Sequence, residues 1–284
     1  MKWALVLEGG ASRAYFSVGV MDVFLENGLM ADCVIGASAG IANGVSYVSG
    51  QKGRSLIIGT KYTADKRYMG IKYLFNRKNK SYYNKKFVFD ELPNKILPFD
   101  YQAFAAYPGK VFAAVTNIET GKVQYLPVTG DDLQWTEMVA TCALPILFQP
   151  VEINGEKYMD GGITDPIPAD KALSSGMDRT VILLTRERNY VKEDEPALGI
   201  SAFLYRKYPH FARALKKRTD TYNLAHAHAL DLEREGKAFI ICPGETADWH
   251  RTESSPEKIL EIYNAGRKAA EDNLEKLKKF LNNK

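Results

Sequence analysis

The stretch Cys33-Val34-Ile35-Gly36-Ala37-Ser38-Ala39-Gly40 decides how this chain is read. A short apolar run leads into a G-x-S-x-G pentapeptide, Gly36 to Gly40, and a small and apolar run of helical character, Ile41 to Val48, follows it. A serine on a tight turn from strand to helix holds its hydroxyl clear of the backbone, beside the positive end of the helix. Gly36 and Gly40 suit such a turn, because a side chain at either would collide with it or with neighbouring backbone. Glycine-rich helix starts produce the same pentapeptide without any chemistry, so the flanking chain has to carry the reading.

Toward the N-terminus, Trp3 to Leu7 is a continuous apolar run, as expected of a buried parallel strand. Glu8-Gly9-Gly10-Ala11-Ser12-Arg13 is a small-residue loop, and Phe16, Val20, Val23 and Phe24 then recur at helical spacing up to a stop at Asn27-Gly28. Strand, glycine-rich loop and helix together aim backbone N–H groups at an anion. The loop matches neither the mononucleotide pattern G-x-x-x-x-G-K-S/T nor the dinucleotide pattern G-x-G-x-x-G. The remaining anion is a transient oxyanion on an acyl carbon, which fits a candidate nucleophile on the next strand.

Toward the C-terminus, Glu119-Thr120-Gly121-Lys122 reads as a hairpin turn between two β-rich runs. Trp135 to Cys142 reads as a helix broken by Ala143-Leu144-Pro145. Asn154-Gly155 predicts a type I′ hairpin that delivers the chain into Met159-Asp160-Gly161-Gly162, a carboxylate at the end of a strand. Thr180 to Thr185 reads as another buried strand, and the charged run Arg186 to Pro196 places a boundary there. The chain thus divides into a catalytic domain, 1–195, and a mainly helical extension packed on it, 196–284. In the extension a basic amphipathic helix is expected over about Ile200 to Leu215, helix again to Glu235, and a strand at Ala238 to Cys242. The final helix begins near Pro256, with Ser254 and Glu257 spaced as a capping box and an apolar face to dock on the core.

With 284 residues, 45% apolar and 25% charged, the chain has room for one large α/β domain or two small ones. A net charge of +4 does not imply nucleic acid, but the charge is uneven. Residues 61–95 hold ten Lys and Arg against three Asp and Glu, a net of +7, and Arg206, Lys207, Arg213, Lys216, Lys217 and Arg218 form a second cluster. Both suggest peripheral contact with an anionic membrane, where each basic residue adds about 1 kcal/mol. Cys33, Cys142 and Cys242 are far apart, lack metal-ligand spacing, and read as small buried hydrophobes in a reducing compartment. No signal-peptide pattern and no run of the ~18 apolar residues needed to span a bilayer occur, so a cytoplasmic protein is expected.

Acyl transfer also requires a base. The four histidines, His210, His226, His228 and His250, all lie beyond Pro196. A Ser–Asp–His order could use His226 or His228. Against it, the elbow falls on only the second strand, and the glycine-rich loop precedes it by one strand–helix unit. The other arrangement is a Ser38–Asp160 dyad, in which a carboxylate of ordinary pKa near 4 needs a site that raises it or holds it in place.

Gly9-Gly10-Ala11-Ser12-Arg13, Gly36-Ala37-Ser38-Ala39-Gly40, Ala143-Leu144-Pro145 and Asp160-Gly161-Gly162, in that order, resemble the patatin-like phospholipase family. Asp165-Pro166-Ile167-Pro168 extends the resemblance, which covers roughly residues 4 to 185. The resemblance implies a three-layer α/β/α fold with a mainly parallel central sheet, lipid acyl-ester hydrolysis, and no metal or cofactor. It makes Ser38 the nucleophile, Asp160 the base, and Gly9, Gly10, Ala11, Ser12 and Arg13 the oxyanion hole. Ala11 and Ala14 stand where the family carries glycine; the N–H donors survive, but Ala11 is strained if its position needs a positive φ. The region after about Pro196 resembles a C-terminal extension of some bacterial members. The expected activity is hydrolysis of phospholipids or lysophospholipids. A lipid-binding or regulatory protein on the same scaffold, and a general carboxylesterase or thioesterase, are the rival readings.

Overall fold

Trp3–Leu7 (β1) lies at the middle of an eight-stranded sheet in a computed structural model that describes residues 1–195 and 197–282. Its neighbours are Cys33–Ala37 (β2) on one edge and Arg179–Leu183 (β7) on the other, both parallel to it. Lys110–Asn117 (β3) continues the parallel order beyond β2, and Ala238–Ile241 (β8) continues it beyond β7. Val123–Pro127 (β4) and Glu156–Asp160 (β6) pair antiparallel with β3, and Val151–Ile153 (β5) pairs antiparallel with β6. At the turn between β5 and β6, Asn154 and Gly155 both have positive φ, 53° and 82°, as a type I′ hairpin requires.

The central strands are buried on both faces, which explains their continuous apolar sequences. On β1, Trp3, Leu5 and Leu7 point to one layer and Ala4 and Val6 to the other. The first layer holds Tyr15–Glu26 (α1), Ala39–Val48 (α2) and the last helix of the chain, Pro256–Asn282. The second holds the short helix Ala169–Leu173 and the long helix Arg218–Arg234. This is a three-layer α/β/α arrangement with a mostly parallel sheet. The final helix crosses α1 at close range: a methyl on Gly19 would sit 2.1 Å from the Tyr263 carbonyl oxygen, and one on Gly266 2.0 Å from that of Phe16.

One detail of register creates the site. On β3, Ala114 pairs with Ala37 of β2, and the next residue, Val115, pairs with Asp160 of β6. β4 overlaps both pairings along β3, so it occupies the opposite edge. β2 and the antiparallel β6 therefore meet end to end along one edge of β3, and the residue after Ala37 faces Asp160.

Several expected boundaries move. The basic helix at 200–215 is two helices, Ala197–Leu204 and Pro209–Lys216. Pro209 lacks an N–H and disfavours helical geometry at the preceding residue, and Tyr208 is extended at φ −115°, ψ 79°. The last helix is capped by Ser255 rather than Ser254: the Ser255 hydroxyl accepts from the Lys258 N–H at 3.3 Å and donates to Glu257. With Pro256 at the first helical position, the residue before it becomes the cap. Pro196, at the expected domain boundary, lies outside the described residues. The chain beyond it supplies β8 and helices to both layers. No helix among the described residues is long and apolar enough to cross a membrane.

Candidate active site

Ser38 follows β2 directly and opens α2 at φ 52°, ψ −134°. That conformation costs a residue with a side chain about 1–3 kcal/mol. Contacts on every side hold it. Its N–H donates to the Thr141 hydroxyl at 2.8 Å, and that hydroxyl donates to the Ala114 carbonyl at 2.6 Å. A methyl on Gly40 would sit 2.6 Å from the Glu8 carbonyl oxygen, and one on Gly36 2.9 Å from that of Leu7, so neither can carry a side chain.

The Ser38 hydroxyl donates to Asp160 Oδ2 at 2.7 Å. The other carboxylate oxygen accepts from the Gly162 N–H at 2.8 Å. The Asp160 backbone is pinned as well, its N–H on the Ala143 carbonyl at 2.9 Å and its carbonyl under the Thr116 hydroxyl at 2.8 Å. Gly161 passes so close to β3 that a methyl there would sit 2.1 Å from the Ala114 carbonyl oxygen. Burial pushes the Asp160 carboxyl above its ordinary range, while the Ser38 hydrogen bond, Arg218, the Gly162 N–H and Arg251 pull it back. A carboxylate raised in this way is a better proton acceptor. His226 is buried with its ring stacked on Tyr222, and His228 pairs with Asp170 at 2.8 Å. Ser38 is thus brought to a carboxylate, with His226 and His228 engaged elsewhere.

The loop 9–13 lies against the elbow, where a methyl on Gly9 would touch the Ser38 Cβ at 3.2 Å. The Gly9 N–H donates to the Pro166 carbonyl, that of Ser12 to the Arg251 carbonyl, and that of Arg13 to the Gly10 carbonyl. Among the described residues, the N–H groups of Gly10 and Ala11 have no acceptor, whereas those of Gly9, Ser12 and Arg13 are engaged within the protein. Ala11 has φ 50°, a left-handed conformation that costs a residue with a Cβ about 1–2 kcal/mol. The Ser12 hydroxyl lies 3.0 Å from the Arg251 carbonyl and 2.8 Å from the Glu253 carbonyl. A segment 240 residues down the chain therefore straps the strained loop down, a contact with no local sequence signal.

Two cavities meet at Ser38. One, of about 320 Å³, is lined mainly by apolar side chains such as Tyr15, Tyr83, Phe89, Leu92, Met138 and Phe148. Cys142 is on its wall, and burial pushes that thiol up. Cys33 is buried in the core, Cys242 is half-buried, and all three thiols are free. The second cavity, of about 50 Å³, carries charged groups on its wall, Asp160 with Arg13, Lys192, Arg218 and Arg251, and is bordered by the Gly9–Ala11 loop. Glu195 ties three of these cations together, Arg251 at 2.8 Å, Arg218 at 3.5 Å, and Lys192 in direct contact. Burial pushes Glu195 up, but Arg251, Lys192 and Arg218 outweigh it and bring the carboxyl down to about 2. Burial and Arg251 lower Lys192 to about 8 against the pull of Glu195. Arg218, part of the second basic cluster expected at a membrane surface, begins the helix Arg218–Arg234 and is buried on the wall of this cavity. Among the described residues no three His, Cys, Asp or Glu side chains converge to hold a metal ion.

The family described as patatin-like phospholipase matches residues 5–173, and a domain of unknown function, DUF6363, matches residues 208–282. The uncharacterized protein YjjU of Escherichia coli (strain K12) is 26% identical over 203 residues, 64% of this chain and 51% of that protein. The match thus spans about half the length of this relative. VipD from Legionella pneumophila, known from a crystal structure, aligns over 97% of this chain and 67% of its own, at 14% identity and a TM-score of 0.47.

Proposed function

The chain belongs to the patatin-like phospholipase family, and on that premise we propose that it is a serine acyl hydrolase that cleaves fatty-acyl esters of phospholipids or lysophospholipids. The observation that carries this reading is the 2.7 Å hydrogen bond from Ser38 to Asp160, on a strained elbow where an apolar cavity and a charge-lined one meet. The acyl chain occupies the apolar cavity. Ser38 Oγ attacks the ester carbonyl carbon and its proton passes to Asp160 Oδ2. The Gly10 and Ala11 N–H groups donate to the oxyanion that forms. Collapse breaks the bond to the alcohol oxygen, which takes the proton from Asp160 and leaves, so Ser38 is acylated. Water then attacks the acyl-serine and gives a proton to Asp160. The second collapse releases the fatty acid, and Ser38 recovers its proton.

Residues 58–97 form a cover over the apolar cavity. Tyr68, Tyr83 and Phe89 line the cavity, while Ile71 and Phe75 are exposed on the outer side among Lys72, Arg77, Lys78 and Lys80. We assign this outer face to contact with an anionic lipid surface.

A fluorophosphonate probe tests the nucleophile directly. The expected result is one adduct, mapped by mass spectrometry to the peptide containing Ser38 and absent from Ser38→Ala. An unlabelled wild type would move the chain to the lipid-binding reading.

A further inference from the structure

The charge-lined pocket beside Ser38 has an imbalance of charge. Arg13, Lys192, Arg218 and Arg251 line it, Asp160 is the acid on its wall, and Glu195 stands behind the last three cations. Four positive side chains thus stand against three carboxylates, Asp160, Glu195 and the Glu8 that neighbours Arg13. Uncompensated buried charge is costly and is retained where something pairs with it.

Arg13 makes the deficit explicit. It is only 6% exposed, yet among the described residues its guanidinium makes no hydrogen bond and no ion pair, and its Nε is enclosed without an acceptor. Burial, with Arg186 and Arg251 nearby, lowers it to about 10, so it stays charged at neutral pH. The neighbouring Glu8 carboxylate is already used by the Tyr222 hydroxyl at 2.8 Å and by the Thr185 N–H. The helix Arg218–Arg234 adds the positive end of its dipole, since Arg218 and Tyr222 in its opening turns both border the pocket. The volume, about 50 Å³, holds about four waters or one compact tetrahedral anion.

We propose that this pocket receives the phosphate of the substrate's headgroup, so that the preferred substrates are acyl glycerolipids ending in a phosphate monoester. Arg13, Arg251, Arg218 and Lys192 supply the charge that meets the phosphate oxygens, while Gly10 and Ala11, which border the same pocket, hold the adjoining carbonyl oxygen of the ester over Ser38. Planar guanidinium groups suit this task because they meet phosphate oxygens two at a time. A headgroup extended by a quaternary ammonium meets like charge and lacks room. Three of the four cations, Lys192, Arg218 and Arg251, lie beyond the family match at 5–173, which gives the C-terminal part of the chain a part in substrate selection.

This inference rests on the hydrolase reading, and one experiment separates the two. Rates are compared for 1-acylglycerol-3-phosphate and the matched 1-acylglycerol, with wild type, Arg251→Gln, Lys192→Gln and Arg251→Lys. Wild type is expected to favour the phosphate ester by about tenfold or more in kcat/KM, the scale of a charge-assisted contact. In both glutamine variants that ratio falls to within about threefold of unity, mainly through KM, and Arg251→Lys restores part of it. The ratio within each variant is the readout, so a general loss of folded enzyme cancels. Equal wild-type rates on the two esters overturn this inference and leave the hydrolase intact; cleavage of neither overturns both. Inorganic phosphate that competes with the neutral ester, without any preference for the phosphate lipid, assigns the pocket to a free anion and overturns the headgroup assignment.

Discussion

Ser38 and Asp160 come within 2.7 Å of each other because their strands pair with consecutive residues of the same edge of β3. The serine leaves β2 one residue after the Ala37–Ala114 pair, and the aspartate ends the antiparallel β6 at Val115. No helix or loop movement is needed to assemble the pair. What the arrangement costs is local: Ser38 sits at φ 52°. Glycine takes this conformation freely, so Ser38→Gly is expected to lose all hydrolysis and gain about 1 kcal/mol of stability. In a domain of this size that raises Tm by about 2–4 °C. A variant with lower Tm than wild type would show that the elbow is not strained.

The buried carboxylate makes a pH prediction with a definite sign. Asp160 titrates above its ordinary value of 3.8 in the folded chain. Between 3.8 and the raised value the fold holds a proton that the unfolded chain has released, so stability falls as pH rises through that window. Below it both states are protonated and the full stability is present. Asp160→Asn removes the titration. Its Tm is expected to exceed that of wild type at neutral pH and to converge with it toward pH 3–4. A gap that does not change with pH contradicts the assignment. For the same reason kcat/KM falls on the acid side at a pH above the usual aspartate range.

The strap on the oxyanion loop acts through position. Ser12→Ala removes the hydroxyl contacts with Arg251 and Glu253 while leaving the Gly10 and Ala11 donors in the chain. Expected is a fall in kcat of about tenfold with KM nearly unchanged, and recovery in Ser12→Thr, because misaimed donors weaken only the transition state. An equal loss in Ser12→Thr would point to packing instead.

Much of this site was legible because its parts are local. The elbow needs Gly36 and Gly40 within five residues, and the Asn154-Gly155 turn announces the strand that ends in Asp160. The charge-lined pocket was not legible. Its cations come from positions 13, 192, 218 and 251, and only the sheet order and the packing of the later helices unite them. The cover was legible only in part: Phe87 to Leu97 reads as a short helix and turn, where the helix Phe87–Ile96 lies, but the basic and aromatic run from about Thr63 to Tyr83 has no clean period. Residues 58–62 and 87–96 form wide π-type turns, which carry no 3.6-residue period. The break at Pro209 was signalled by the proline, but the apolar residues on either side hid it under one continuous pattern.

The outer face of the cover predicts a lipid dependence. Cosedimentation with vesicles containing anionic lipid should exceed that with neutral vesicles and weaken between about 0.1 and 0.5 M salt. Phe75→Ser and Lys78→Glu should each reduce it. Equal binding to both vesicle types removes this face from membrane contact.

The central claim is that Ser38 and Asp160 together hydrolyse lipid acyl esters. Its most direct test is hydrolysis of p-nitrophenyl esters of increasing acyl length by wild type, Ser38→Ala and Asp160→Asn. The account predicts turnover that rises with chain length as the apolar cavity fills, and losses of about a thousandfold or more in both variants. Undiminished activity in Ser38→Ala would contradict it.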